Sequence, residues 1–222
     1  MDDESTFRLD PPSAVRRSSL PRLALIADGF TEAGRADRTV EAVRAGVPWV
    51  HLRDHAVRKE AFAKAARELT GRLCRATSGV LMSINSRTGV AEALGMGLHT
   101  GRHGPTPGRA RERLPPDALV GVSAHGRDEA EAARGAADYF FFSPVFPTAS
   151  KPGHPGAGLK ALRDFCRAFP ALPVLALGGV TPERTAACLD AGAHGVAVLS
   201  GILHADVPTD ATRAYLKALP SE

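Results

Sequence analysis

Two dipeptides stand where a bound anion would be met. Residues 173–177 are a short apolar run that ends in Gly178-Gly179, and residues 195–199 are a second that ends in Ser200-Gly201. Small residues let backbone N–H groups approach an anion closely, and a helix that begins just past such a turn adds its positive dipole end. Thr181-Pro182-Glu183 opens such a helix: Thr181 suits the N-cap and Pro182 the first helical position, and the stretch closes at Gly192. The segment 173–202 therefore reads as strand, helix, strand, a parallel βαβ unit. In it Gly178, Gly179, Ser200 and Gly201 form a phosphate cup. One Gly-Gly alone would be a tight turn, whereas two small-residue ends on consecutive strands point to phosphate.

Polar residues with chemistry of their own end other apolar runs. Alternation with period two puts His51 with Arg53, Ser83 with Asn85, and Gly121 with Ser123 and His125, each set on one face. The opposite positions, Val50, Leu52, Ile84 and Val122, are apolar. His51, Arg53, Asn85 and His125 are thus expected to converge. Buried polar groups are costly unless partnered, so four of them on different strands argue for a site. An imidazole can carry a proton near neutral pH, while Arg53 stays protonated and can bind an anion or pair with Asp28 or Asp54. His51, His55, His99, His103 and His125 all fall near strand ends, which raises a transition-metal site. No HxH lies on the first strand and no HExxH occurs anywhere, so no metal is expected.

Holding these residues together takes eight strands. Six more precede or join the pair above, over 23–28, 49–54, 80–85, 97–101, 119–125 and 139–145. Helices read at 36–46, 58–76, 90–94, 107–114, 128–134, 159–169, 181–192 and 211–219, with Phe62, Ala66 and Leu69 on one face of the longest. A loop rich in Pro and Gly covers 146–157. Eight short apolar strands alternating with eight helices predict an α/β fold, a single (β/α)8 TIM barrel over 21–222, with its chemistry at the C-terminal strand ends. A doubly wound open sheet is the alternative, and the lack of GxGxxG after the first strand counts against it. Residues 1–20 carry both charge signs and Pro11-Pro12 without an apolar segment, and are read as a mobile tail, not a secretory signal.

The 222 residues are 44% hydrophobic and 23% charged, as in an ordinary globular protein. Lys+Arg exceeds Asp+Glu by 28 to 24, and no basic run is interleaved with aromatics, so nucleic acid is not an expected partner. No apolar run approaches a membrane span. Cys74, Cys166 and Cys188 are far apart, odd in number and within helical patterns, so they are expected to be packed thiols in a reducing compartment, the cytoplasm. The oligomeric state, homo-oligomer included, is left open.

HLRD at 51–54, INSR at 84–87, GLHTGR at 97–102, GVSAH at 121–125, ADYFFFSPVFPTASKPG at 137–153, ALGGVTPE at 176–183 and AGAHGVAVLSGI at 191–202 occur in this order. Together they resemble the thiamine phosphate synthase / thiazole tautomerase (TenI) superfamily over about residues 23–218. The resemblance implies a barrel acting on a thiazole phosphate in thiamine (vitamin B1) biosynthesis. Two activities divide that superfamily. A synthase joins a pyrimidine diphosphate to the thiazole phosphate with Mg²⁺ and releases diphosphate. A tautomerase shifts a proton to aromatise a thiazole carboxylate phosphate and needs no metal. Synthases carry one carboxylate directly after the residue matching Asn85 and another after the fourth strand, and these hold Mg²⁺; here the positions read Ser86 and Arg102-His103-Gly104. Mg²⁺ prefers carboxylate oxygen to hydroxyl or imidazole. The expectation is therefore a TenI-like tautomerase, an isomerase without cofactor. His125 is its general acid/base, and His51, Arg53, Asn85, Thr148 and Lys151 contact substrate. The alternatives are the Mg²⁺-dependent synthase and a non-catalytic phosphate-binding regulatory barrel.

Overall fold

The computed structural model describes residues 20–102 and 104–220. Eight parallel strands pair in chain order and close into one barrel. They are β1 (Leu23–Asp28), β2 (Trp49–Arg53), β3 (Leu81–Asn85), β4 (Gly97–Thr100), β5 (Val120–Ala124), β6 (Tyr139–Phe142), β7 (Val174–Leu177) and β8 (Gly195–Val198). The helices are α1 (Arg35–Arg44), α2 (Lys59–Ala76), α3 (Thr88–Leu94), α4 (Pro107–Arg111), α5 (Arg127–Glu131), α6 (Gly158–Ala168), α7 (Pro182–Asp190), α8 (Ser200–Leu203) and α9 (Pro208–Ala218). The expected barrel is present, and closure excludes the open sheet. The tail expected at 1–20 lies outside the described residues except for Leu20, which is buried with the barrel interior and whose carbonyl meets His194 Nε2 at 2.6 Å.

Hydrophobic periodicity makes these elements. In α2, Phe62, Ala66, Leu69 and Leu73 recur at helical spacing and are buried against the barrel. Thr181 precedes α7 with Pro182 in the first turn, but its side chain makes no cap bond; it serves the Glu183 carboxylate instead. The sixth strand stops at Phe142, short of the expected 145, because Pro144 has no N–H to give the ladder. Ser200-Gly201, expected as the small-residue end of the eighth strand, opens α8, a ninth helix of four residues among those described. None of the helices among the described residues is long and apolar enough to cross a membrane. The three cysteines lie in α2, α6 and α7; burial raises the thiols of Cys166 and Cys188 to about 11.

Two cores share the sheet. One fills the space between strands and helices, and a smaller one fills the barrel itself. Few aromatics are present, but they concentrate inside: Trp49 packs edge-on against Tyr139 with ring centroids 4.8 Å apart, and Phe141 lies 4.3 Å from the His99 ring. Gly121 on β5 makes this possible, since a Cβ there would land inside the Tyr139 ring. Overpacking a dense core costs about 1–3 kcal/mol, and more when the neighbour cannot move. Tyr139 is fully buried and has no room to shift. Gly121→Ala should therefore lower the melting temperature by roughly 5 °C or more. An unchanged melt would mean that the interior is looser than these contacts show.

Candidate active site

The inward positions follow the alternation read from sequence. Below the mouth lies a buried polar network. Trp49 Nε1 donates to Ser83 Oγ at 3.1 Å, and Ser83 Oγ stands 3.0 Å from His51 Nδ1. The serine hydroxyl can then donate to Nδ1, which assigns the His51 proton to Nε2, and Asn85 is the ring's other hydrogen-bond partner. His99 is bonded at both nitrogens, by Tyr139 at 3.2 Å and Ser123 at 2.9 Å. The two imidazoles are 5.0 Å apart. Burial first, and then the charge of Arg53, pushes His99 down to about 3. Burial, with His99 and Arg53 adding to it, holds His51 well below the usual range despite the opposing Asn85 bond and Asp28 charge. Both rings are neutral around pH 7, and the floor of the mouth is polar but uncharged.

Above this floor a pocket is lined by Arg53, Thr148, Lys151, Gly178-Gly179 and Ser200-Gly201, among others. Gly178 and Gly179 have φ of 95° and 63°. Side chains there would also overlap the loop after β6, at Pro144 for Gly178 and at the Pro147 carbonyl for Gly179. Glycine at these two positions thus answers to backbone conformation and loop packing as well as to ligand access. Ser200 and Gly201 are the first residues of α8, whose leading N–H groups have no partner within the helix. Arg53 Nε donates to Asp28 Oδ1 at 2.7 Å. Burial alone would raise the Asp28 carboxyl, but the Arg53 bond and the charges of Arg53, His55 and Arg35 hold it below the ordinary value. Thr148 accepts from the Ser150 amide at 3.4 Å, shaping the loop that carries Lys151.

His125 follows β5 on the outer rim and is not among the residues lining this pocket. Its side chain is 37% exposed and its Nδ1 lies 2.9 Å from Glu129 Oε2. Among the described residues no three of His, Cys, Asp and Glu gather to hold a metal; His103 lies outside them. Asp28, one of the two carboxylates expected as a partner for Arg53, is the one that binds it, whereas Glu129 and its pairing with Arg102 have no place in the sequence expectation. Alternation from Ala24 and Ile26 turns Asp28 inward, and the His125-to-Glu129 spacing of one helical turn is the sequence signal for Glu129.

A family model described as thiamine monophosphate synthase matches residues 23–202. The chain is similar to the thiamine-phosphate synthase of Azorhizobium caulinodans, 37% identical over 82% of this chain and 86% of that one. It is 36% identical to the thiamine-phosphate synthase of Mycobacterium tuberculosis over 91% of this chain and 96% of the relative. The solved thiamine phosphate pyrophosphorylase from Pyrococcus furiosus superposes with a TM-score of 0.74 at 26% identity, covering 89% of this chain and 94% of that one. These relatives overturn the expectation of a thiazole tautomerase: they carry the name of a transferase, not of an isomerase. The expectation rested on Ser86 and Gly104, where carboxylates for Mg²⁺ are missing. Their absence removes one means of neutralising diphosphate and leaves the rest of a cationic mouth in place. The proton transfer assigned to His125 goes with the tautomerase.

Proposed function

The chain belongs to the thiamine monophosphate synthase family, and from that premise we propose that it is a thiamine-phosphate synthase of vitamin B1 biosynthesis, acting in the cytoplasm. Its substrates are a pyrimidine diphosphate and a thiazole phosphate, and its products are thiamine phosphate and diphosphate. The observation that carries this is one pocket that joins the Gly178-Gly179 and Ser200-Gly201 backbone to Arg53 and Lys151.

The thiazole phosphate is met by the α8 N-terminus and the glycine turn, with Arg53 beside them. This anchors the thiazole substrate by its phosphate. The neutral His51–Asn85 floor suits an uncharged planar ring, which it meets without a competing charge. Thr148 and Lys151 close over the mouth from the loop after β6.

A magnesium ion does not fit the residues present. Ser86 and Gly104 stand where the metal carboxylates would be, and a Cβ on Gly104 would come 2.7 Å from Ser86 Oγ. Asp28 is engaged by Arg53, and Asp54 by Thr31 at 2.5 Å and by the Ala56 amide at 2.9 Å.

Incubating the protein with both substrates should yield thiamine phosphate and diphosphate in equal amounts. Ser200→Glu should lower kcat/KM by about a hundredfold, by placing a like charge at the α8 N-terminus. Ser200 is exposed, so the fold is spared; Gly179, with its positive φ and the Pro147 carbonyl against it, is a poorer test. A folded protein that forms no thiamine phosphate overturns the proposal.

A further inference from the structure

Across the mouth from the glycine turn lies a second group of charges. Gly101 packs toward Ser123, where a Cβ would be 3.8 Å from the serine Cβ, and Gly104 packs onto Ser86. The Gly104 amide donates to the Gly101 carbonyl at 2.9 Å. Arg102 is thereby held between the ends of β3 and β5. Its guanidinium reaches Glu129 Oε1 at 3.3 Å. The other oxygen of Glu129 accepts from the His125 amide and faces His125 Nδ1, both at 2.9 Å. Lys151 faces the same groups from the loop after β6: burial lowers its ammonium, Arg102 lowers it further, and Glu129 opposes them. Arg102 pairs with Glu129, and Lys151, which lines the pocket, lies within electrostatic reach of both, so two cations face one carboxylate and one positive charge is left in excess. In the carboxylate-bearing synthases that the sequence resembles, two carboxylates and a Mg²⁺ sum to no net charge. Here the carboxylates are gone and the excess cation belongs to the chain itself.

We propose that Arg102 and Lys151 form a subsite that binds the diphosphate of the pyrimidine substrate without a divalent cation. The proposal rests on the synthase reading. In the step concerned, the bond from the pyrimidine methylene carbon to the diphosphate oxygen breaks, and its electron pair leaves on that oxygen. The lone pair of the thiazole nitrogen forms the new carbon–nitrogen bond. No proton, electron or further reactant is needed. The charge that gathers on the leaving oxygen is met by the Arg102 guanidinium and the Lys151 ammonium.

The test is calorimetric titration of the full chain with inorganic diphosphate, in EDTA and in Mg²⁺, alongside the coupling rate in both. Diphosphate should bind in EDTA, and chelation should leave turnover unchanged. Arg102→Ala should weaken diphosphate binding about tenfold, Arg102→Lys should restore it to within about threefold, and Arg213→Ala on α9 should change nothing. The Arg102 side chain is 72% exposed, so its loss spares the fold. Diphosphate binding that disappears in EDTA and returns with Mg²⁺, or that ignores Arg102→Ala, overturns the subsite. Turnover that requires Mg²⁺ does the same while leaving the synthase intact. Metal-free, Arg102-dependent binding with no coupling supports the subsite and removes the synthase instead.

Discussion

Arg53→Ala is expected to lower kcat/KM for thiamine phosphate formation by about a hundred- to a thousandfold, with a smaller change in melting temperature. Arg53 ends β2 on the inward face and lines the pocket that holds Gly178-Gly179 and Ser200-Gly201. Asp28 takes its Nε, which fixes the plane of the guanidinium and leaves the terminal nitrogens to donate to an anion. Alanine at this position acts twice. It removes the cation, and it leaves the Asp28 carboxylate at the mouth without its hydrogen-bond donor, where it repels phosphate. The double variant Arg53→Ala/Asp28→Asn separates the two effects. It should recover part of the loss, because the repulsion goes while the missing cation stays missing. Steady-state kinetics on the single and double variants decide the matter. A single variant with unchanged kcat/KM would show that Arg53 serves only as the structural partner of Asp28.

Most of the architecture was legible because two periodicities carry it. Alternation placed His51, Arg53, Ser83, Asn85 and Ser123 on the faces that the barrel turns inward, and helical spacing found Phe62, Ala66 and Leu69. What escaped depends on contacts between strands. Nothing local to Gly121 says that it must admit the Tyr139 ring, since the two residues become neighbours only through the β5–β6 register. Nothing local makes Ser200-Gly201 helical either: one turn is too short to show a period. The activity depends on contacts of the same kind. Ser86 and Gly104 read as two missing ligands, whereas Arg53 on β2 and Lys151 after β6 line the pocket, and Arg102 after β4 meets Glu129 on α5 at the rim, a grouping that no local pattern shows. His125, read from alternation as a mouth residue, stands instead on Glu129 at the rim.

The buried imidazoles should make the barrel sensitive to mild acid. His99 has a folded-state pKa of about 3 against 6.5 in the unfolded chain, and His51 is also held well below that value. The unfolded chain therefore binds protons that the fold refuses. Stability is complete above pH 6.5 and falls as pH drops through the window between the unfolded and folded values. Each such histidine contributes a slope of about 1.4 kcal/mol per pH unit, and His99 alone amounts to roughly 5 kcal/mol across its window. That is comparable to the whole stability of many domains, so unfolding should set in before the folded-state pKa is reached. Asp28 and Glu129 have lowered carboxyls, whose contribution is complete above their unfolded values near 4 and lost only below them. Between pH 4.5 and 6.5 the histidines therefore dominate. Chemical denaturation across that range should show unfolding free energy falling by about 2–3 kcal/mol per pH unit. His99→Gln keeps a hydrogen-bonding group between Tyr139 and Ser123 but cannot titrate, so it should reduce the slope by about half, whatever it does to stability at pH 7. A slope in His99→Gln equal to that of the parent would place the acid sensitivity elsewhere and show that His99 is charged inside the barrel.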